Sequence, residues 1–226
     1  MTTLSPYDPE IEALWRAVEG SGARSVAVVA SLPGEGTTLV ASALARRAGL
    51  AGTQALLVDL NQVRPGVAKL FNVHPKPGEI VTMPALGLAV LADAAPEDAM
   101  AWREPAALAA QAQRWAADYN LVVFDTAPLL SKVHEPIPAT AVAAAAEATV
   151  LVMLSGRTAV PAIREARLRL ATAGARLIGA VMNDRDNPPL LAELERETYR
   201  LAPLLPRAMA NLRRRLQRAT VLSVKI

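Results

Sequence analysis

The chain has 226 residues, of which 52% are hydrophobic and 20% are charged, and its formal net charge is +3. It has no cysteine and no apolar run near the roughly 18 residues of a membrane span, which excludes disulfides, thiolate metal sites and a spanning helix. Residues 1–10 lack the basic and then apolar pattern of a signal peptide, so we expect a cytoplasmic protein with one full-sized core.

Strands and helices are predicted to alternate along the chain. Residues 9–19 carry apolar side chains at helical spacing and precede the first strand. Residues 72–86 are rich in proline and glycine and are expected to form a surface excursion. Strands are predicted at residues 26–29, 55–58, 87–91, 121–124, 149–154 and 176–182, and further helices after Gly36, before Phe71 and at residues 105–119, 140–147 and 160–173.

The predicted strands are apolar throughout, and most are followed by a helix. Such strands are typical of a mostly parallel sheet that is covered by helices on both faces. The expected fold is therefore a three-layer α/β domain of the P-loop NTPase type, over residues 1–203. Residues 204–226 form a separate basic helix or tail in this prediction. His74 and His134 each lie near a proline and are expected to be solvated loop residues rather than zinc ligands.

A glycine-rich loop joins the first predicted strand to the next helix. Residues 31–36 read SLPGEG and are followed by two threonines. Two glycines let backbone N–H groups face one concavity, towards which the helix also directs its positive dipole end. The P-loop pattern places lysine where this chain has Thr37, so the loop has the shape of a phosphate cradle without its main positive charge. The alternative is an ordinary turn. The candidate cofactor-binding residues here are Pro33, Gly34, Glu35, Gly36, Thr37 and Thr38.

Polar residues end three other predicted strands: Asp59, Asp125 and Asn183. In an open α/β sheet, ligands bind beyond the carboxyl ends of the strands. Mg²⁺ prefers oxygen ligands and keeps several waters. Thr38 is therefore a candidate direct ligand, while Asp59 and Asp125 are candidates to hold those waters and, in an active enzyme, to be the catalytic residues. For either aspartate alone, the alternative is a cap of a turn or helix.

Four segments resemble the cytoplasmic domain of bacterial tyrosine kinases of the capsular exopolysaccharide type, in order and spacing. They are VVASLPGEGTTLVASALA, LLVDLNQVRPGVAKLFNV, YNLVVFDTAPLL and TVLVMLSGRTAVPAIREARLRLATAGARLIGAVMND. Those kinases belong with the deviant P-loop ATPases of the Min and plasmid-partition systems. The resemblance implies that residues 34–38 are the Walker A loop, that Asp59 and Asp125 are the two Walker acids, and that Asn183 recognises adenine. It also implies ATP or ADP with Mg²⁺ as the ligand.

The chain departs from the family where phosphoryl transfer needs charge. The family has lysine in place of Thr37, a second aspartate in place of Asn61 and usually arginine in place of Val63. The kinases also end in a run of tyrosines, whereas this chain has Tyr199 alone near that end. Losing one such charge lowers the catalytic rate by a factor on the order of 10² to 10³. We therefore expect no tyrosine autophosphorylation, unless Arg64, Arg157 or a neighbouring subunit supplies the cation.

Two helical segments bear on partners. Residues 10–19 correspond to an oligomer-forming helix of the family and keep Glu12 and Arg16, with Trp15 added between them. Residues 204–226 contain an arginine cluster that favours either a terminal helix packed on the sheet, the preferred reading, or an amphipathic helix at a membrane surface. Nucleic-acid binding is not expected, because no aromatic residues accompany the basic cluster.

The expected function is that of a degenerate kinase-like P-loop protein with weak or no nucleotide turnover. The resemblance implies an accessory or regulatory role in exopolysaccharide synthesis and export, for a capsule, holdfast or biofilm polymer. It implies a place at the cytoplasmic face of the inner membrane, beside a chain-length-control (co-polymerase) protein, as a homodimer or oligomer. Two alternatives stay open: an active ATPase switch that controls dimerisation with a substituted cation, and a Min-like or partition-like positioning ATPase, as in cellulose secretion.

Overall fold

The computed structural model describes residues 4–185 and residue 198. The chain divides into two compact units, Met1–Asn183 and Asp184–Ile226. The predicted domain boundary after residue 203, the basic segment 204–226 and Tyr199 all lie outside the described residues.

The first unit contains the predicted strands and helices together with three elements that were not predicted. Its strands are β1 (Ser25–Ala30), β2 (Ala55–Asp59), β3 (Ile80–Met83), β4 (Leu88–Leu91), β5 (Leu121–Asp125), β6 (Ala148–Leu154) and β7 (Leu177–Asn183). Its helices are α1 (Pro9–Ser21), α2 (Thr37–Leu50), α3 (Val67–Phe71), α4 (Pro96–Ala101), α5 (Pro105–Trp115), α6 (Ala139–Ala145) and α7 (Val160–Thr172), with a 3₁₀ turn at Pro84–Leu86.

The strands form one sheet in the order β3-β4-β2-β5-β1-β6-β7. Neighbouring strands are parallel except β3 and β4, which are antiparallel. The four strands β1, β2, β4 and β5 are buried along their whole length, which explains why their sequences are continuously apolar. The predicted α/β architecture is confirmed.

Two hydrophobic cores lie on opposite faces of this sheet. Side chains of α1, α2 and α3 pack on one face, and side chains of α4 to α7 pack on the other. Alternate residues of β1 divide between them, since Val28 faces the first core and Val29 the second. Because β1, β2, β5 and β6 are parallel, the loops that follow them lie at the same edge of the sheet.

The segment 72–86 differs from its prediction. It was expected to be an excursion over the surface, but it contains the edge strand β3 and the 3₁₀ turn. The side chains of β3 are partly or fully exposed, so the strand lacks the apolar run that marks the central strands. Helix α4 was not predicted either, because it spans only Pro96–Ala101. His74 and His134 are exposed, as expected.

Helix α1 is attached to α2 by a charged and aromatic contact. The Arg47 guanidinium donates two hydrogen bonds to the Glu12 carboxylate, and its carbon lies 6.0 Å from the centre of the Trp15 ring. Trp15 is buried, together with Ile11, Leu14 and Val18, the apolar positions that the sequence predicts. Within the described residues, no helix is both long and apolar enough to cross a membrane.

Candidate functional site

The glycine loop has a conformation that depends on its two glycines. Gly34 and Gly36 have positive φ angles of 84° and 102°, a region that side chains with a Cβ rarely adopt. Gly36 caps α2 and accepts the hydrogen bond from the Val40 amide at 3.0 Å. Pro33 and Gly34 are exposed at the tip. The chain therefore makes a strand, a tight loop and a helix start in the arrangement that binds phosphate in P-loop proteins.

Glu35 connects this loop to the neighbouring strand ends. Its side chain is only 3% exposed, and its carboxylate accepts hydrogen bonds from the Leu32 amide at 2.9 Å and from the Thr158 hydroxyl. Thr158 follows β6, and its hydroxyl also accepts a hydrogen bond from the Leu154 amide. The internal carboxylate therefore holds both the curvature of the loop and its position against β6.

Asn183 braces the same loop from the end of β7. Its side-chain amide donates to the Glu35 carbonyl at 2.9 Å. A Cβ at position 36 would lie 2.5 Å from the Asn183 amide nitrogen, so the loop and this side chain are packed without spare room. The resemblance assigns Asn183 to adenine, and in this structure its amide is engaged by the loop.

The two threonines that open α2 face Asp125. The Thr38 hydroxyl donates to Asp125 Oδ2 at 2.6 Å, and the Thr37 hydroxyl also lowers the pKa of this carboxyl. Asp125 is fully buried, and its second oxygen, Oδ1, has no hydrogen-bond partner among the described residues. One face of the buried carboxylate is thus satisfied by the helix start, while the other is left for a further donor or a cation.

Asp59 holds the loop that follows β2. Its Oδ1 accepts from the Asn61 amide at 3.0 Å, and its Oδ2 accepts from the Gly66 and Val67 amides at 2.9 and 3.0 Å. The capping role that the sequence offered as an alternative is therefore real for Asp59. Gly66 also packs against Thr38, since a Cβ at position 66 would lie 2.9 Å from the Thr38 hydroxyl.

The two aspartates are neighbours at one edge of the sheet. Asp59 and Asp125 are paired residues in the register of β2 and β5. Burial raises the pKa of Asp125 to about 8, the Asp59 charge adds to this, and the Thr38 and Thr37 hydroxyls act in the opposite direction. Burial also raises the pKa of Asp59, opposed by its amide donors. No ion pair among the described residues includes either carboxylate.

These residues fit a hydrated Mg²⁺ ion. A hydroxyl on the first turn of α2, an orphaned buried carboxylate oxygen and a second carboxylate supply the oxygen donors that Mg²⁺ prefers. Bound Mg²⁺ would supply positive charge to a phosphate in the loop. In this arrangement Thr38 would be its direct ligand, and Asp125 and Asp59 would hold its waters. Where the P-loop pattern places a lysine, this chain has Thr37, whose short side chain carries no charge.

Sequence reasoning selected the residues that meet at this edge of the sheet but missed how they are connected. Glu35 was selected only as part of the loop, and Thr158 was not selected at all. The available signal for the contact between Glu35 and Thr158 was an acidic residue in the glycine loop and a hydroxyl after a parallel strand. Recognising that these two residues meet also requires knowing that β1 and β6 are neighbours in the sheet. Arg64 and Val63 are exposed on the Asp59 loop, and Arg157 is exposed beside Thr158.

Comparisons with known proteins support both the fold and the resemblance. No family model matches the chain. Tyrosine-protein kinase YwqD of Bacillus subtilis (strain 168) is 27% identical over 179 residues, which are 72% of this chain and 73% of that protein. The kinase domain of the Escherichia coli tyrosine kinase ETK superposes with a TM-score of 0.64 at 23% identity, over 76% of this chain and 72% of that one.

A more distant likeness includes a structure with bound nucleotide. The septum site-determining protein MinD from Pyrococcus horikoshii OT3, complexed with Mg-ADP, has a TM-score of 0.58 at 14% identity, over 73% of this chain and 72% of that one. The chain is therefore similar in sequence to a bacterial tyrosine kinase, and it has the P-loop NTPase fold that the kinase domains share with Min-type ATPases.

Proposed function

We propose that this chain is a kinase-like P-loop protein that binds Mg-ADP or Mg-ATP weakly and does not phosphorylate tyrosine. The observation that carries the proposal is Thr37. It occupies the lysine position of a cradle whose other parts, the glycine loop, Thr38, Asp59 and Asp125, are brought together. The protein therefore keeps the oxygen donors for a metal and lacks the side-chain cation for the phosphates.

The missing charge decides between binding and catalysis. Phosphoryl transfer relies on positioning and on positive charge around the transferred group, with little covalent help from the protein. Removing one group that stabilises a developing charge typically costs about 3 to 4 kcal/mol in the transition state. The loop amides and Mg²⁺ still favour a bound phosphate. Weak binding without transfer is the expected outcome.

The likeness to tyrosine-protein kinase YwqD and to the other kinase domains supports a proposal for the cellular role. We infer an accessory or regulatory component of exopolysaccharide synthesis and export. Its partner would be a chain-length-control protein of the inner membrane, at whose cytoplasmic face this chain would be a peripheral subunit, as a dimer or oligomer. A pseudokinase of this kind would act through its nucleotide-dependent shape and its contacts.

Labelled ATP tests the enzymatic half of this proposal. With [γ-³²P]ATP and Mg²⁺, we expect the wild-type chain to incorporate no label on tyrosine. Asp125→Asn is the control for contaminating kinases, because any activity of this chain should be lost in that variant. Phosphotyrosine in the wild type that disappears in Asp125→Asn would overturn the proposal.

One observation favours a second candidate function, an active ATPase switch with a substituted cation. Arg157 directly precedes Thr158, whose hydroxyl is bonded to Glu35 in the loop, so this arginine belongs to the turn that contacts the cradle. Phosphate release that depends on Asp59, Asp125 and Arg157 would favour this function. Arg64→Gln, which removes the other candidate cation, would then show which arginine is used.

A further inference from the structure

A closed set of hydrogen bonds joins Asn183 to the glycine loop and to the end of β6. The Asn183 side-chain amide donates to the Glu35 carbonyl at 2.9 Å, and its backbone carbonyl accepts from the Ser155 amide at 2.7 Å. Thr158 completes the set, because its hydroxyl is bonded both to the Glu35 carboxylate and to the Leu154 amide. Protein groups alone therefore hold the loop from the ends of two neighbouring strands.

The Asn183 amide nitrogen lies directly against the loop backbone. A Cβ at position 36 would be 2.5 Å from Nδ2 and 3.7 Å from Cγ of this side chain. An asparagine that reads adenine accepts a hydrogen bond from the N6 amino group and donates one to N7, so it needs both halves of its amide to face the base. In this structure the donor half is directed at the loop, towards Gly36 and the Glu35 carbonyl.

This arrangement has a consequence for base selectivity. A site rejects the wrong base when that base leaves a polar group of the protein without a hydrogen-bond partner. The Asn183 amide nitrogen keeps the Glu35 carbonyl as its partner whichever base is bound. Discrimination among bases by Asn183 should therefore be small. The loop amides and the start of α2, in contrast, favour a phosphate chain independently of the base attached to it.

Given the phosphate cradle of the proposed function, on which this inference rests, we propose that the site selects its ligand by the phosphate chain and not by the base. The ligand class is compounds with a pyrophosphate group: nucleoside di- and triphosphates with any base, and inorganic pyrophosphate itself. Asn183 is then a positioning residue. By holding the Glu35 carbonyl, it fixes the curvature of the loop for every ligand of this class.

Calorimetric titration of the whole protein with ADP, GDP, CDP and inorganic pyrophosphate, each with Mg²⁺, tests the selectivity. We expect pyrophosphate to bind saturably and the three nucleotide affinities to agree within about fivefold, the factor that one net hydrogen bond contributes. A larger preference for ADP, or ADP binding without pyrophosphate binding, would overturn this proposal and leave the proposed nucleotide binding intact. No saturable binding by any of the four ligands would overturn both.

A variant of Asn183 separates loop positioning from base reading. Asn183→Ala should lower the affinities for pyrophosphate and for ADP by the same factor, at least about fivefold, because both ligands depend on the loop. Thr158→Val, which removes the other support of Glu35, should also lower both affinities in equal proportion. Asn120→Ala is the matched control, since it changes an exposed asparagine just before β5 and should alter neither affinity.

The two ligands together make the variant decisive. A loss of ADP affinity in Asn183→Ala with unchanged pyrophosphate affinity would mean that Asn183 reads the base, which contradicts the proposal. Unchanged affinity for both ligands would contradict it as well. Each variant is titrated at a temperature at which its circular dichroism spectrum matches that of the wild type, and the nucleotide series on the wild type needs no variant.

Discussion

Asp125 is a buried carboxylate whose charge is opposed by its surroundings. The pKa of about 8 reflects burial first and the neighbouring Asp59 second. Between the ordinary value of 3.8 and about 8, the folded chain keeps a proton on Asp125 that the unfolded chain has lost. Raising the pH through this window therefore favours unfolding.

Asp125→Asn should reduce this pH dependence of the free energy of unfolding. Denaturant unfolding of the wild type should show a free energy of unfolding that falls between pH 5 and pH 8, by up to about 1.4 kcal/mol per pH unit. The asparagine oxygen can still accept from Thr38, so the variant should be flatter over the same range and more stable than the wild type at pH 8. Asp98→Asn, at an exposed position, is the control and should keep the wild-type slope. Equal slopes in wild type and Asp125→Asn would contradict this view of the site.

Helix α2 joins the glycine loop to the rest of the domain, and its far end is closely packed. A Cβ at Gly49 would overlap the Leu86 carbonyl oxygen, whereas a Cβ at Gly20 in α1 would meet nothing within 4 Å. Gly49→Ala should therefore lower the free energy of unfolding by about 1 to 3 kcal/mol. Gly20→Ala should raise it by up to about 1 kcal/mol. Denaturant unfolding of both variants measures the two changes in free energy of unfolding. Equal changes in the two variants would contradict the close contact between Gly49 and Leu86.

In helix α1, Glu12 forms an ion pair with a residue of its own chain. The sequence resemblance led us to expect this residue in an oligomer-forming helix, and in the structure it is paired with Arg47 over Trp15. Glu12→Gln should lower the melting temperature, and the difference should shrink in 1 M salt, because the pair is partly open to solvent. Glu19→Gln, on the same helix, should have a smaller effect. If Glu12→Gln instead changed only the oligomeric state, the intramolecular pairing would not be its main role.

At the scale of the whole molecule, the fold was predictable because long apolar strands and helical spacing agree along the chain. The central strands that end at Asp59 and Asp125 follow from sequence, and so does their meeting at one edge. Strand β3 could not be predicted, because an exposed edge strand lacks the apolar run of its neighbours. The contact between Glu35 and Thr158 could not be predicted either. These residues are 123 positions apart in the sequence, and they are brought together only because β1 and β6 are neighbouring strands.

The central proposal is that the cradle is assembled and that Thr37 deprives it of the charge that binds phosphate most strongly. Calorimetric titration of ADP and ATP, with Mg²⁺ and with EDTA, into the wild type, Thr37→Lys and Thr37→Met tests it most directly. We expect weak, Mg²⁺-dependent binding to the wild type, at least about tenfold tighter binding to Thr37→Lys, and no gain in Thr37→Met, which adds length without charge. Binding to Thr37→Lys that is no tighter than to Thr37→Met would contradict the account.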